Sequence, residues 1–309
     1  MKIITVTLNP AFDLHCSLSS LELCRENLAE LTSNDAGGKG INISRALTLN
    51  GIDNLAFVIL GDENGESFSR ALTSEGIDYR AITVKGRIRE NLTCHPVGSP
   101  ETRISFKGFS VNEALLGQVE DMLLPEIDGE TVITFTGRVP SGLDMASVKD
   151  FLCSFSRKGA RLVIDSKSFS LDDLRQLRPW LIKPNGEEIS EYLGRNVTDF
   201  GEIVEAASEL HRDGIDNVMI SLGGDGAMLV NDDGVFTARP PKIEALSTIG
   251  AGDSSIAGFL AAAKLGMGSP ECIRTAVAYG SAACLTEGTK PPRRDDIERI
   301  LPLVDVKAI

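Results

Sequence analysis

Short apolar runs rich in Ile, Val and Leu alternate along most of the chain with stretches whose apolar residues fall three and four apart. The first kind predicts buried strands and the second amphipathic helices. Residues 3 to 8 open with a strand. A helix over 41 to 49 closes at Asn50-Gly51, a strand covers 55 to 60, and a helix ends at Gly76. Further on the rhythm is regular. Helices are expected at 111 to 124, 143 to 158, 171 to 177 and 199 to 213, with strands at 131 to 136, 161 to 165, 180 to 183 and 217 to 222 between and after them. A hairpin is predicted over 227 to 238, and helices at 253 to 265, 270 to 286 and 294 to 302 finish the chain. Strands that alternate with helices predict an α/β fold, a mostly parallel sheet covered on both faces.

Two stretches break the rhythm. Residues 14 to 34 are polar and irregular, and residues 79 to 107 alternate in polarity, as in Ile82-Thr83-Val84 and Thr102-Arg103-Ile104-Ser105. Both read as extended strands that leave the core, and together they predict a small projecting sheet, a lid, on a single domain spanning 1–309. A small sheet is marginal alone, so it is expected to pair with its copy in a homodimer.

Composition removes whole classes of function. The 309 residues carry a net charge of −13, which argues against a nucleic-acid or anionic-membrane partner. The six cysteines form no C-x-x-C pair and there are three histidines, so neither a zinc site nor a disulfide framework is expected. His15-Cys16 and Cys94-His95 hold adjacent strand residues that point to opposite faces, which makes each a poor ligand pair. No apolar run is long enough to span a bilayer and no leader is visible, so a cytosolic protein is expected.

The chemistry concentrates in turns that follow strands, where open α/β sheets bind ligands. Ser247-Thr248-Ile249-Gly250-Ala251-Gly252-Asp253-Ser254 runs into an apolar helix. Small residues let backbone amides crowd an anion, and the helix N-terminus adds partial positive charge. Asp253 in the first turn can take a proton from a hydroxyl while the amides there stabilise charge on a migrating phosphoryl group. Alone, the stretch is equally a helix start with a capping acid. Ala36-Gly37-Gly38-Lys39-Gly40-Ile41-Asn42 lacks the Walker A pattern; its glycines permit close approach to sugar hydroxyls and Asn42 can pair with them, or the stretch is a simple loop into a helix. Asp13, at a strand end, can hold a pair of hydroxyls or simply form a turn. Lys183-Pro184-Asn185-Gly186-Glu187-Glu188 places Asn185 and Glu188 three apart at a helix start, near a hydrated Mg²⁺ or as a plain capped turn. Ser221-Leu222-Gly223-Gly224-Asp225-Gly226 suits a nucleotide phosphate or ribose, or a hairpin entry.

Taken together, these stretches make the chain resemble the PfkB (ribokinase-like) carbohydrate kinase family, in its 1-phosphofructokinase and tagatose-6-phosphate kinase branch. The resemblance is carried by Thr7 to Asp13, Gly37 to Asn42, Arg89-Glu90-Asn91, Lys183-Pro184-Asn185 with Glu188, Ser221-Leu222-Gly223 with Gly226, and Gly250 to Asp253. It implies a kinase that moves the γ-phosphoryl of ATP to a sugar hydroxyl, with Mg²⁺ required and room left for a monovalent cation. Asp253 is then the base and Gly250, Ala251 and Gly252 the anion hole. Asp13, Gly37, Gly38, Lys39 and Asn42 hold the sugar, and Arg89 its phosphate. Lys183, Asn185, Ser221, Gly223 and Gly226 line the ATP side, with Glu188 reaching the metal through water.

Three positions depart from the branch. Glu26, Asn27 and Leu28 stand where its phosphosugar kinases carry a basic lid residue, Gly137-Arg138-Val139-Pro140 replaces Gly-Ser-x-Pro, and Asp165-Ser166-Lys167 replaces the usual Asp-Thr/Ser-Ser/Gly. Arg138, Arg103, Lys107 or Lys167 is then left to supply a missing phosphate contact. Fructose 1-phosphate is the substrate the resemblance favours, before tagatose 6-phosphate and fructose 6-phosphate. A free sugar or nucleoside, or a sensor without turnover, are the competing readings.

Overall fold

A computed structural model describes residues 1–309. In chain order the elements are β1 (Lys2–Thr7), β2 (Ala11–Leu18), β3 (Glu30–Gly37), α1 (Lys39–Leu49), β4 (Leu55–Gly61), α2 (Gly65–Ser74), β5 (Tyr79–Val84), β6 (Arg89–Pro96), β7 (Thr102–Ser105) and α3 (Ala114–Leu123). There follow β8 (Thr131–Thr136), α4 (Met145–Arg157), β9 (Arg161–Asp165), α5 (Leu171–Leu177), β10 (Leu181–Ile182), α6 (Gly186–Leu193), α7 (Phe200–Arg212) and β11 (Asn217–Ser221). The chain ends with β12 (Ala227–Asn231), β13 (Gly234–Arg239), α8 (Ala251–Lys264), α9 (Ser269–Ala283), α10 (Arg294–Ile300) and β14 (Asp305–Ala308).

Ten strands form one sheet in the order β14-β13-β12-β11-β10-β9-β8-β1-β4-β5, parallel from β11 to β5 and antiparallel across β12, β13 and β14. Its parallel strands are apolar on both faces, so each strand feeds two cores. Ile3, Val132, Val163, Leu181 and Met219 meet α1, α8, α9 and α10 on one side. Their neighbours Ile4, Ile133, Ile164, Ile182 and Val218 meet α2 to α7 on the other. The two faces alternate residue by residue, as the strand period of two requires. No helix is long and apolar enough to cross a membrane.

The second sheet has the order β3-β2-β6-β7. It corrects the expected boundaries of the projecting strands. Tyr79–Val84 is not part of it, because β5 pairs in parallel with β4 and forms an edge of the main sheet. Its residues are half-buried apart from exposed Thr83, as befits an edge strand, so its polarity pattern resembles that of a lid strand. Residues 19–29 contain no strand, whereas Ala11–Asp13 and Asp35–Gly37 do belong to the small sheet. The last strand, β14, lies in a stretch the sequence pattern leaves unassigned; four residues on a sheet edge carry too little periodicity to read.

Candidate active site

Because β1, β8, β9, β10 and β11 are parallel, their carboxyl ends lie along one rim. The small sheet stands over that rim, and between them opens a cleft of about 560 Å³. Asp13, Asn91 and Arg103 reach it from β2, β6 and β7, and Lys39 and Asn42 from the start of α1. Asp165 ends β9, Lys183 follows β10, and Gly250, Gly252 and Asp253 come from the start of α8. Residues more than two hundred positions apart thus meet in one place.

The entry to α8 is built from small residues for geometric reasons. Gly250 sits at φ +79, in the left-handed region that favours glycine, and a Cβ on Gly252 would come 3.0 Å from Lys183 Nζ. The first full helical bond runs from Ser254 N–H to Gly250 O at 2.9 Å. Ala251 N–H turns back to Thr248 O at 3.4 Å, which leaves the amides of Gly250 and Gly252 free to face an anion. The helix starts at Ala251, two residues earlier than its periodicity suggests. Behind this turn α8 presses tightly on α9: a Cβ at Gly258 would meet Thr275 O at 2.6 Å and Tyr279 at 2.9 Å.

Asp253 is buried, and Asn42 Nδ2 donates to its Oδ2 at 2.8 Å. Burial pushes its carboxyl up to about 6; Lys39, Asn42 and Lys183 pull the other way, while Asp165 adds to the rise. Asp165 goes in the opposite direction. Burial opposes its charge, but Lys183 and Lys39 outweigh that and hold its carboxyl below the usual range, with Lys39 Nζ donating to its Oδ2 at 2.8 Å. Two neighbouring carboxyls with pKa values pushed apart are the arrangement expected of one base and one fixed counter-charge.

At the other end of the cleft Asn91 Nδ2 donates to Asp13 Oδ1 at 2.8 Å, and Arg103 Nη2 approaches the same oxygen at 3.3 Å. Asp13 Oδ2 is left for a ligand. It lies so near the backbone of Gly37 that a Cβ there would be 2.5 Å away, which explains the first glycine of the pair. Arg89 and Arg138 join Arg103 at the same wall. The Arg89 guanidinium is held below its usual value by burial and by Arg138 and Arg103, against the pull of Asp13. Three guanidiniums that disfavour one another are stabilised by a multiply charged anion. The buried hydroxyls of Thr7, Thr136 and Thr289, and Asn91 Oδ1, also line the cleft without a protein partner, and such groups call for a polar ligand or water.

A second cleft of about 560 Å³ lies beyond the α8 turn, and Gly252 lines both. Ser221, Gly223 and Gly226 form its rim, as expected. Gly226 has φ +93 and no room for a Cβ, which would fall 2.0 Å from Ala238 O. Its apolar wall of Met219, Ile243 and Val277 suits a flat heterocycle.

Not every expected residue faces a cleft. Lys183 lines the first cleft beside Gly252, not the second cleft that its assignment to the ATP side implies. Asn185 and Glu188 form a capping box: Asn185 Oδ1 accepts from Glu188 N–H at 2.8 Å and Glu188 Oε2 from Asn185 N–H at 3.0 Å. Glu188 Oε1 pairs with Lys167 at 3.4 Å, so both residues sit one step outside the cleft wall. Lys107 is exposed and lines neither cleft. Sequence reasoning gave Asp165 no role, although it ends a strand at the functional rim. Val277, Gly280 and Cys284 of the second cleft lie on or just past α9, an apolar helix with no motif to mark them.

The profile of the "pfkB family carbohydrate kinase" matches residues 14–296. The chain belongs to this family. It is a phosphotransferase with the ribokinase-like fold, and its relatives sharpen the comparison. The 1-phosphofructokinase of Escherichia coli is 30% identical over 306 residues, 99% of this chain and 98% of that protein. The 1-phosphofructokinase of Bacillus subtilis is 30% identical over 310 residues, 98% of this chain and 99% of that protein. Phosphofructokinase-2 from Escherichia coli, solved in complex with substrates and products, superposes with a TM-score of 0.91 at 28% identity, over 98% of this chain and 99% of that one. The same enzyme has been solved with potassium (TM-score 0.91, 27% identity, 97% of this chain and 98% of that one) and in a tetrameric inhibited form (TM-score 0.89, 27% identity, with the same coverage).

Proposed function

We propose that this kinase phosphorylates a ketohexose phosphate, with fructose 1-phosphate as its substrate and ATP as donor. The observation that carries this is the wall of Arg89, Arg103 and Arg138 beside Asp13 in a chain whose net charge is −13. A free sugar offers nothing to offset three guanidiniums. The names of the curated relatives support the same choice.

In this reading Asp13 and Asn42 orient the sugar and the arginines hold its phosphate. Lys39, fixed by Asp165, and Lys183 carry positive charge to the junction of the two clefts. Asp253 accepts the proton of the attacking hydroxyl as its oxygen bonds to the γ-phosphorus and the bond to the β-phosphate oxygen breaks. A carboxyl near 6 is mostly ionised at pH 7 yet still basic enough to take the proton. The amides of Gly250 and Gly252 stabilise the charge that spreads over the transferred group.

No group of three or more His, Cys, Asp or Glu side chains is arranged to hold a metal. That fits Mg²⁺, which keeps several waters and rides on substrate phosphates with one or two carboxylates nearby. In this reading Glu188, held in the capping box with Asn185, would reach the ion through water, and the ion would supply charge neutralisation. The potassium complex of phosphofructokinase-2 supports a monovalent cation as a further requirement.

Part of the outer face of the small sheet is apolar and exposed at Leu31, Ile104 and Phe106. We assign it to a homodimer contact, to be checked by light scattering; a monomer at micromolar concentration would remove it. The central test is an ADP-release screen over phosphorylated and free sugars. Turnover with fructose 1-phosphate far above the other sugars is expected. Turnover confined to free sugars or nucleosides would overturn the substrate, and none with any sugar would favour a sensor.

A further inference from the structure

His15-Cys16 and Cys94-His95 look unconnected in the sequence, and the parallel pairing of β2 with β6 brings them together. Cys16 stands directly opposite Cys94, and Ser17 opposite His95. Strand alternation then sorts the four side chains. The histidines share the face that looks toward the body, where His15 Nδ1 and His95 Nε2 are 2.9 Å apart. The cysteines share the opposite face, and their sulfurs are 3.5 Å apart. Both are almost wholly enclosed, by Leu18 with Leu21 and Leu92. Among the six cysteines, only these two have sulfurs in contact.

The covalent geometry is within reach. Paired strands lie about 4.7–4.9 Å apart, and a disulfide accepts Cα separations of about 4.4–6.8 Å. The sulfurs must close from 3.5 Å to about 2.05 Å. We propose that Cys16 and Cys94 are an oxidation site that forms a reversible disulfide, stapling β2 to β6. With a diffusible peroxide the balance is two thiols and one hydrogen peroxide to one disulfide and two waters. One thiolate attacks the peroxide oxygen, giving a sulfenic acid and the first water. The second sulfur then displaces the sulfenic hydroxyl, which leaves as the second water. A low-molecular-weight disulfide reaches the same product by two exchanges that release two thiols.

Burial and the neighbouring thiol push the Cys16 thiol up to about 11. Little thiolate is present at neutral pH, so the staple forms slowly. A reducing environment keeps the pair as thiols. The staple joins the two strands that carry Asp13 and Asn91, each three residues before its cysteine.

The test uses the full-length protein treated with hydrogen peroxide or oxidised glutathione, alkylated, digested and mapped by mass spectrometry. The expected result is a linked peptide pair containing Cys16 and Cys94, lighter by two hydrogens, that reverts to two alkylatable thiols with dithiothreitol. Cys16→Ser should abolish the link and Cys24→Ser should leave it. Should Cys16→Ser fail to fold, the wild-type map decides alone. Recovery of both residues as free thiols after prolonged oxidation, or as single glutathione adducts, would overturn the proposal.

Discussion

Asn42 Nδ2 donates to Asp253 Oδ2 at 2.8 Å, a bond between residues 211 positions apart that links the sugar-side helix α1 to the base at the start of α8. The bond stabilises the ionised carboxylate, because a charged oxygen is the stronger acceptor. It also fixes which oxygen remains for the sugar. Asn42→Ala should therefore push the acid limb of kcat/KM above about 6 and lower kcat by roughly 10-fold. A pH–rate profile checks this; an unmoved limb would mean the contact does not tune the base.

Asp253→Asn should lower kcat by about 10²–10⁴-fold with little change in ligand affinity, and should remove the acid limb. The same change should stabilise the protein at pH 7. The folded carboxyl is raised to about 6, so its favourable protonated form is complete below the unfolded value and is lost as pH rises through about 6. At neutral pH the buried charge is a cost of about 2–3 kcal/mol that Asn relieves. Urea unfolding of both proteins at pH 5 and pH 7 should show the gap widening with pH.

Arg89→Ala should raise KM for a phosphosugar by roughly 10–100-fold with a smaller effect on kcat, the loss expected for one charge-assisted contact. Arg138→Ser should act in the same direction. An unchanged KM in both variants would remove the phosphosugar claim while leaving the kinase chemistry in place.

Asn91 holds Asp13 by its Oδ1 and so leaves Oδ2 for the sugar. Asn91→Ala should free the carboxylate to rotate and raise KM for the sugar several-fold, while KM for ATP stays put. Initial-rate kinetics with each substrate varied separately would reveal a uniform loss if Asn91 only supports the fold.

Gly258 is the contact point of α8 and α9. Gly258→Ala forces a methyl to within 2.6 Å of Thr275 O, and should cost about 1–3 kcal/mol of stability as the helices part. Thermal unfolding measures this directly.

Local pattern decides what a segment becomes, and here it sufficed for the βα rhythm, the Gly-rich turns and Asp253 at the head of a helix. It also sufficed for the family, because the Gly-rich turns at 37–38 and 250–252 are short local motifs. Pairing is not a local property. Whether Tyr79–Val84 joins the small sheet or the large one depends on which strand it finds, and both choices demand the same alternation. The meeting of Cys16 with Cys94, the charge pairing of Lys39 with Asp165 and the opposite pKa shifts of Asp165 and Asp253 exist only once parallel strands are set in register. Interactions between side chains fall off within a few ångströms, and sequence separation says nothing about that distance.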